Sequence, residues 1–250
     1  MNIIIILAFL FFLGSITGWG MEVIFRRYFS SANPGRKWIN PGFLSGPYLP
    51  LYGCSLCALY LLAGLEPCLG IENPAISKLV LFAIMAASVT AIEYVAGLIF
   101  IKGMKVKLWD YSTQWGNIQG IICPKFTFFW AVLSAIYYFL IHPHILSALH
   151  WLSENLAFSF CIGFFFGVFT LDFIHSANLL VKIRRFAEEN GIVVRFEELK
   201  AGIRAKEEKN REKARFLLAM FPSVPLGEHL KEYYEKCKEE LEHFRPHRTK

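Results

Sequence analysis

The sequence predicts an all-α fold: a polytopic membrane helix bundle of about five transmembrane helices, followed by a charged helical tail. Three observations support this prediction. Hydrophobic residues make up 55% of the 250 residues, they form five long apolar stretches, and charged residues are concentrated towards the C-terminus. Only 9 Lys and Arg and 7 Asp and Glu precede Lys182, against 17 and 13 from Lys182 onward. We therefore predict a transmembrane domain over residues 1–182 and a cytoplasmic tail over residues 183–250.

Each predicted span follows from the thickness of the bilayer. A crossing helix needs about 20 mostly apolar residues, because the hydrocarbon core is about 30 Å thick and each residue adds about 1.5 Å. The predicted spans are Ile3 to Phe25, Tyr48 to Leu65, Leu79 to Ile101, Ile121 to Ile141 and Leu156 to Val181. The second is the shortest and contains Pro50. Because basic residues follow the first span rather than precede it, we expect a retained helix and not a signal peptide.

The loops between these spans differ in their content of Lys and Arg. The first loop holds four, the second one, the third region four, and the fourth, from His142 to Asn155, none, before the basic start of the tail. Positive residues are enriched in cytoplasmic loops. The alternation therefore predicts a multi-pass protein of the cell membrane, with the N-terminus outside and the C-terminus in the cytoplasm.

Ionisable side chains inside apolar spans are costly and are candidates for function. They are Glu22, Glu93, Lys125, Asp172 and His175. On the predicted topology all of them lie in the cytoplasmic half of the membrane, which predicts a polar cavity open to the cytoplasmic side.

Local pairing is the alternative to a shared cavity. Glu22 lies one helical turn before Arg26 and can form a salt bridge with it. Lys125 can extend to the membrane interface. Glu93 has no cation among its helical neighbours, so we expect either a partner on another helix, Lys125 or Arg26, or a side chain that stays protonated, since burial disfavours the charged form.

Two loops carry further candidates. Residues 40–53 contain three Gly and three Pro among aromatic residues, which favours sharp turns and removes backbone donors. We predict a re-entrant or interfacial turn that leads into a broken second helix, as at transporter sites; an ordinary hairpin loop is the alternative. In the second loop, Asp110 and Tyr111 either face the cavity or anchor the chain at the interface. The predicted cavity residues are Glu22, Arg26, Asn40, Glu93, Asp110, Tyr111, Asn117, Lys125, Asp172 and His175.

An ordered series of motifs extends over about residues 15–142. It comprises Gly18-Trp19 with Glu22, Asn40, Gly42-Phe43-Leu44, Gly46-Pro47, Pro50, Tyr52-Gly53, Glu93-Tyr94, Trp109-Asp110-Tyr111-Ser112, Asn117 and Gly120. In this order the motifs resemble the CmpB-like family of type-IV ABC transporter permeases, a group of bacterial membrane proteins. The chain departs from the family pattern at Pro41 and Ile121, where the family has Arg, and at Ile101, where the family often has Glu.

The resemblance implies a transport role in the bacterial inner membrane. The sequence contains no G-x-x-x-x-G-K-[ST] phosphate-binding loop. An ABC-type role therefore implies a separate ATPase subunit. Because five helices are few for one permease, a homodimer is expected.

The tail contains apolar residues at helical spacing in two segments, with an apolar patch over residues 216–221 between them. The stripe on the second segment consists of Leu230, Tyr233, Tyr234, Cys237, Leu241 and Phe244. We predict a helical hairpin; a second copy of the chain or a partner protein are the alternatives for covering this stripe. The positive charge of the tail suits the lipid bilayer surface, and its interleaving with acidic residues argues against nucleic acid as a partner.

A permease-like transport component is the preferred function, mainly through the resemblance. The alternatives are a membrane scaffold or sensor that acts through the tail, and a membrane-embedded enzyme that acts on lipid at the cytoplasmic face. The enzyme would use Asp172 and His175 as an acid–base or metal pair, although these residues share a helix face and can simply hydrogen-bond each other. Cys54 and Cys57 have a C-x-x-C spacing, which suggests redox or metal chemistry as one interpretation, although within a membrane helix it favours packing. We predict neither a metal site nor a cofactor.

Overall fold

The computed structural model describes residues 2–30, 33, 35–210 and 226–243. Its α-helices are α1 Ile3–Tyr28, α2 Pro50–Ala63, α3 Pro74–Leu98, α4 Pro124–Ile136, α5 His142–Glu154, α6 Ser159–Glu189, α7 Phe196–Asn210 and α8 Leu226–His243. Two strands of two residues each, β1 Val106–Lys107 and β2 Val194–Arg195, form a parallel pair. The predicted all-α membrane helix bundle is confirmed.

By length and composition, four helical stretches among the described residues could cross a membrane. They are Ile3–Tyr28, Pro74–Gly103, Pro124–Glu154 and Ser159–Glu189. The second predicted span is the shorter apolar helix α2, which has 14 residues. The predicted count of about five spans is therefore not confirmed. Large hydrophobic side chains are exposed along all four long stretches, as expected where a helix faces acyl chains rather than water.

Helix starts follow the caps and prolines of the sequence. The side chains of Asn2 and Asn73 accept hydrogen bonds from the first amides of α1 and α3. Pro50, Pro74 and Pro124 occupy the first positions of their helices, where a missing backbone donor costs nothing.

Two π-helical turns lengthen the predicted spans. Ile99–Gly103 continues α3, and Tyr137–Ile141 joins α4 to α5 without a break. Residues 142–155, expected to form a loop, are therefore mostly the helix α5. Their alternation of apolar and polar residues suits a helix with one buried face, which carries Ile145, Leu149 and Leu152.

Helices α1 and α2 pack antiparallel at very close range. The amide of Leu49 donates to the carbonyl of Ser15, in the middle of α1, over 2.9 Å. Gly14 and Gly18, four residues apart, face α2, and a Cβ on Gly18 would collide with the side chain of Tyr52. Small residues at this spacing let two membrane helices approach each other closely. Because α2 begins at the depth of the middle of α1 and continues towards the start of α1, where the thiol of Cys57 donates to the carbonyl of Leu7, the segment before α2 is irregular chain inside the bundle that leads directly into this helix.

The loops after α1 and α3 and the chain after α6 meet at one end of the bundle, which we call the charged end. The ammonium of Lys200 in α7 donates to the carbonyls of Asn40 and Gly42 over 2.7 and 2.9 Å. In the strand pair, Val106 lies opposite Val194. A hydrophobic core at this end includes Leu44, Val106, Ile183, Phe196, Ile203 and Leu230. A second core, which contains Leu10, Leu81, Met85, Val89 and Leu152, lies in the other half.

The described part of the tail packs on the bundle itself. The predicted boundary after residue 182 falls inside α6, and the division into two domains stays a prediction. Helices α7 and α8 contact each other. Leu230 is buried, and the ring of Tyr234 lies 6.4 Å from that of Phe186. The side chains of Cys237 and Leu241, residue Phe244 and the predicted patch at 216–221 lie outside what the structure describes.

Candidate functional site

A cavity of about 570 Å³ lies beside the charged end, between α1 and α4. Glu22 and Arg26 of α1 and Trp130 of α4 line it. Tyr52 at the start of α2 also lines the cavity. Residues 107–111 and the start of the tail, including Arg195, Glu197 and Glu198, also line it, together with further apolar side chains of α1 and α4. The cavity therefore joins the membrane-embedded helices to the tail.

Arg26 holds two carboxylates together. Its Nε lies 2.8 Å from Glu22 Oε1, and its Nη1 lies 2.9 Å from Glu197 Oε2. The hydroxyl of Tyr52 donates to the other oxygen of Glu22 over 3.1 Å. The local Glu22–Arg26 pair is thus present, and it is extended by a carboxylate 171 residues further along the chain. Burial alone would raise the pKa of Glu197, but the charges of Lys200 and Arg26 hold it below its usual value.

Glu93 lies directly behind the aromatic wall of the cavity and is 3% exposed. Its carboxylate accepts hydrogen bonds from the hydroxyl of Tyr111 (3.2 Å) and from the indole of Trp130 (2.9 Å). Among the described residues, no Lys, Arg or His nitrogen forms a salt bridge with it. Arg26 pairs elsewhere, and Lys125 is exposed, with its ammonium 5.9 Å from the ring of Phe126. Glu93 therefore has two neutral partners, and neither of the two cations considered for an ion pair, Lys125 or Arg26, is bound to it.

Asp110 organises the loop that faces α7. It accepts hydrogen bonds from the amide and the hydroxyl of Ser112, and it forms ion pairs with Lys107 at 3.1 Å and with Arg195 at 3.4 Å. Burial opposes its charge, but these donors outweigh burial, so the pKa of Asp110 lies below its usual value. Asn117 braces the same loop: its amide group donates to the carbonyls of Ser112 and Gln114.

Asn40 and Lys200 fix the segment before α2. The side chain of Asn40 accepts a hydrogen bond from the indole of Trp19 over 2.6 Å and donates to the carbonyls of Leu44 and Ser45. Lys200 is 2% exposed, and burial lowers its pKa to about 8, although Glu197 opposes this shift. These contacts make both side chains structural supports of the segment.

Asp172 supports the same segment from α6. Its carboxylate accepts hydrogen bonds from the amides of Ser45 and Gly46, from the hydroxyl of Tyr48 at 2.7 Å and from the hydroxyl of Ser176 at 3.2 Å. These four donors occupy both oxygens of the Asp172 carboxylate. An acid–base role would require this carboxylate to be accessible to a substrate. His175 is exposed. Among the described residues, no three His, Cys, Asp or Glu side chains are grouped as metal ligands would be.

The structure thus divides the ten predicted residues into groups. Those that line the cavity are Glu22, Arg26, Asp110 and Tyr111. Glu93 stands directly behind it, Asn40 and Asn117 brace loops, and Lys125, Asp172 and His175 lie elsewhere. Sequence reasoning missed Tyr52, Trp130, Glu197 and Lys200 as members of the site. For Lys200 there was a signal, because it shares a helix face with Phe196 and Ile203, on which a lysine is out of place.

Comparisons with known proteins bear on the transmembrane part of the chain. A family model described as "Putative ABC-transporter type IV" matches residues 9–177, which is more than half of the chain. The matched range contains all ten predicted site residues, whereas Glu197 and Lys200 lie beyond it. No curated protein and no solved structure matches the chain.

Proposed function

The chain belongs to the type IV ABC-transporter family, and from this premise we propose that it is the membrane-spanning component of a transporter that binds its substrate in the cavity between α1 and α4. Family membership and the four long apolar helices make it a multi-pass membrane protein with a transport role. The assignment of the cavity to the substrate is our proposal.

One observation carries this assignment. Glu93 is a buried carboxylate with only neutral partners among the described residues, and it adjoins a cavity of ligand size. An ionisable group within a membrane bundle costs several kcal/mol unless it is compensated, so its default interpretation is a functional one. By contrast, the carboxylates of Glu22 and Glu197 are both compensated by salt bridges to Arg26. Such a site is suited to receive a ligand or a proton.

Energy for transport would come from a second protein. The sequence has no phosphate-binding loop of the G-x-x-x-x-G-K-[ST] type, so we propose a separate ATPase subunit that contacts the charged end. This end carries most of the Lys and Arg residues, and the positive-inside rule favours its placement in the cytoplasm. The N-terminus would then lie outside the cell membrane. Two copies of the chain would provide a number of helices more usual for a translocation pathway.

The experiment is a gentle purification of the tagged full-length chain from its native membrane, after crosslinking in situ. We expect a P-loop ATPase subunit in stoichiometric amount. In proteoliposomes, its rate of ATP hydrolysis should depend on the presence of this chain. A chain that purifies without such a subunit, and that leaves the hydrolysis rate of every candidate ATPase unchanged, would refute the proposal.

A further inference from the structure

Resting on the proposed function, we infer that the cavity takes an amphiphile with a positively charged ammonium headgroup, which reaches it sideways from the bilayer between α1 and α4. Three features of the cavity support this inference: where it opens, what its inner wall is made of, and how its charges are distributed.

The cavity opens towards the acyl chains. Met21 and Phe25 of α1 and Phe129 and Val132 of α4 line it, and these four apolar side chains are 36–46% exposed. Partly exposed apolar side chains on the two helices that border a cavity mark its mouth. Both pairs lie in long apolar helices, so this mouth faces lipid. A ligand that uses it must have an apolar part.

The inner wall is aromatic. The rings of Tyr52 and Trp130 lie 5.4 Å apart, and the ring of Tyr111 stacks on Phe126 at 4.3 Å. All four residues line the cavity. Aromatic faces attract cations, and walls of several rings are a known way to bind methylated ammonium groups. A cavity of about 570 Å³ has room for such a headgroup and the first part of its chain.

The distribution of charge favours a cation at the aromatic wall and not at the side of the cavity formed by α7. On the α7 side, Glu197 is neutralised by Arg26 and by Lys200, whose ammonium lies 3.6 Å from it. At the aromatic wall, Glu93 is bound through Tyr111 and Trp130 and has no salt bridge to any described residue. The wall that would contact the headgroup is therefore backed by a carboxylate without a counter-ion. An ammonium group would supply that charge, whereas a carboxylate or sulfate headgroup would be repelled.

The test measures binding to the purified full-length chain in a maltoside detergent by native mass spectrometry. The probes are dodecyltrimethylammonium, dodecanoate and tetramethylammonium. We expect dodecyltrimethylammonium to bind at least tenfold more tightly than each of the other two. Equal binding of dodecanoate would refute the charge preference, and equal binding of tetramethylammonium would place the ligand's source in water instead of the bilayer.

Two variants link the binding to this cavity. Glu93→Gln keeps the shape of the side chain and removes its charge, and it should weaken dodecyltrimethylammonium at least tenfold. Glu154→Gln, at an exposed residue near the other end of the bundle, is the matched control and should bind like the wild type. If Glu93→Gln does not fold, Val132→Trp narrows the mouth from the lipid-facing side and should also weaken the amphiphile. Unchanged affinity in the folded variants would exclude this cavity. If an ATPase subunit co-purifies but the chain shows no preference for the ammonium probe, the proposed transport role is retained and only the ammonium amphiphile is rejected as its substrate class.

Discussion

Replacement of Lys200 by Met tests whether the tail holds the segment before α2. The ammonium of Lys200 is the hydrogen-bond donor to the carbonyls of Asn40 and Gly42. Methionine has a similar volume and no donor, so both acceptors would lose their partner. A buried acceptor without a partner costs about 1–3 kcal/mol, and removal of one member of a buried ion pair adds to this. The variant no longer pays the free-energy cost of burying a charged ammonium group, which offsets part of the loss. We therefore expect a net destabilisation of about 3 kcal/mol.

Hydrogen–deuterium exchange of the segment is the suitable assay, because the effect is local. A loss of about 3 kcal/mol corresponds to roughly 150-fold faster exchange. It should appear at the amides of Ser45 and Gly46, which are bonded to Asp172. The control is Lys182→Met at an exposed position of α6, where we expect a change within about 0.5 kcal/mol. Identical exchange in the two variants would show that Lys200 does not hold the segment, and the reasoning would be wrong.

The same lysine predicts a dependence on pH. Its pKa in the folded protein is about 8, below the usual value of about 10.4. Between these two pKa values the unfolded chain binds more protons than the folded chain. The free energy of unfolding therefore rises as pH increases from about 8 to 10.4, and this added stability is lost again as pH falls through 8. Relative to Lys200→Met, the wild type should gain about 3 kcal/mol by pH 10.5. The groups around the ammonium are Glu197, Arg26 and Arg204, and a flat difference between the two proteins across the window would contradict this assignment.

Two further predictions concern the helix packing and the charge network. Gly18→Ala should lower the free energy of unfolding by about 1–3 kcal/mol, because the added methyl group would overlap Tyr52; thermal denaturation in micelles should show no such loss for Gly20→Ala, where nothing lies within 4 Å. Arg26→Gln should cost about 3–5 kcal/mol, because it leaves Glu22 without its cation and Glu197 with Lys200 alone. Arg195→Gln, whose ion pairs are half exposed, should cost less than about 1 kcal/mol in the same assay, and equal losses for the two arginine variants would argue against the buried network.

The long helices could be predicted from the sequence because the bilayer imposes a length and a composition on them. Glu22 and Arg26 could be paired because helical spacing alone brings them together. The fourth predicted span stopped too early, at Ile141, because polar residues after it resembled a loop. In the structure the chain stays helical through His142 and Pro143, since a proline at the start of a helical segment does not interrupt it when a π-turn precedes it.

Most of the candidate site could not be predicted, because its contacts join distant parts of the chain. The salt bridge between Arg26 and Glu197 depends on how the tail returns to the bundle, and a single sequence carries no signal for that register. The tail was interpreted as a separate charged unit because its average composition is polar. That average conceals the face of α7 that carries Phe196, Lys200 and Ile203, all of them buried against the membrane part.

Helix α6 is 31 residues long, or about 46 Å, and it runs without interruption from the apolar bundle into the tail. Asp172 in this helix binds the amide of Gly46 in the segment before α2, and Lys200, on the chain that follows the helix, binds the carbonyls of Asn40 and Gly42 in the same segment. Asp172 and Lys200 lie on consecutive helices, α6 and α7, joined by a short connection. Movement of α7 away from the bundle therefore requires breaking the salt bridge between Glu197 and Arg26, and it removes Glu197 and Glu198 from the lining of the cavity.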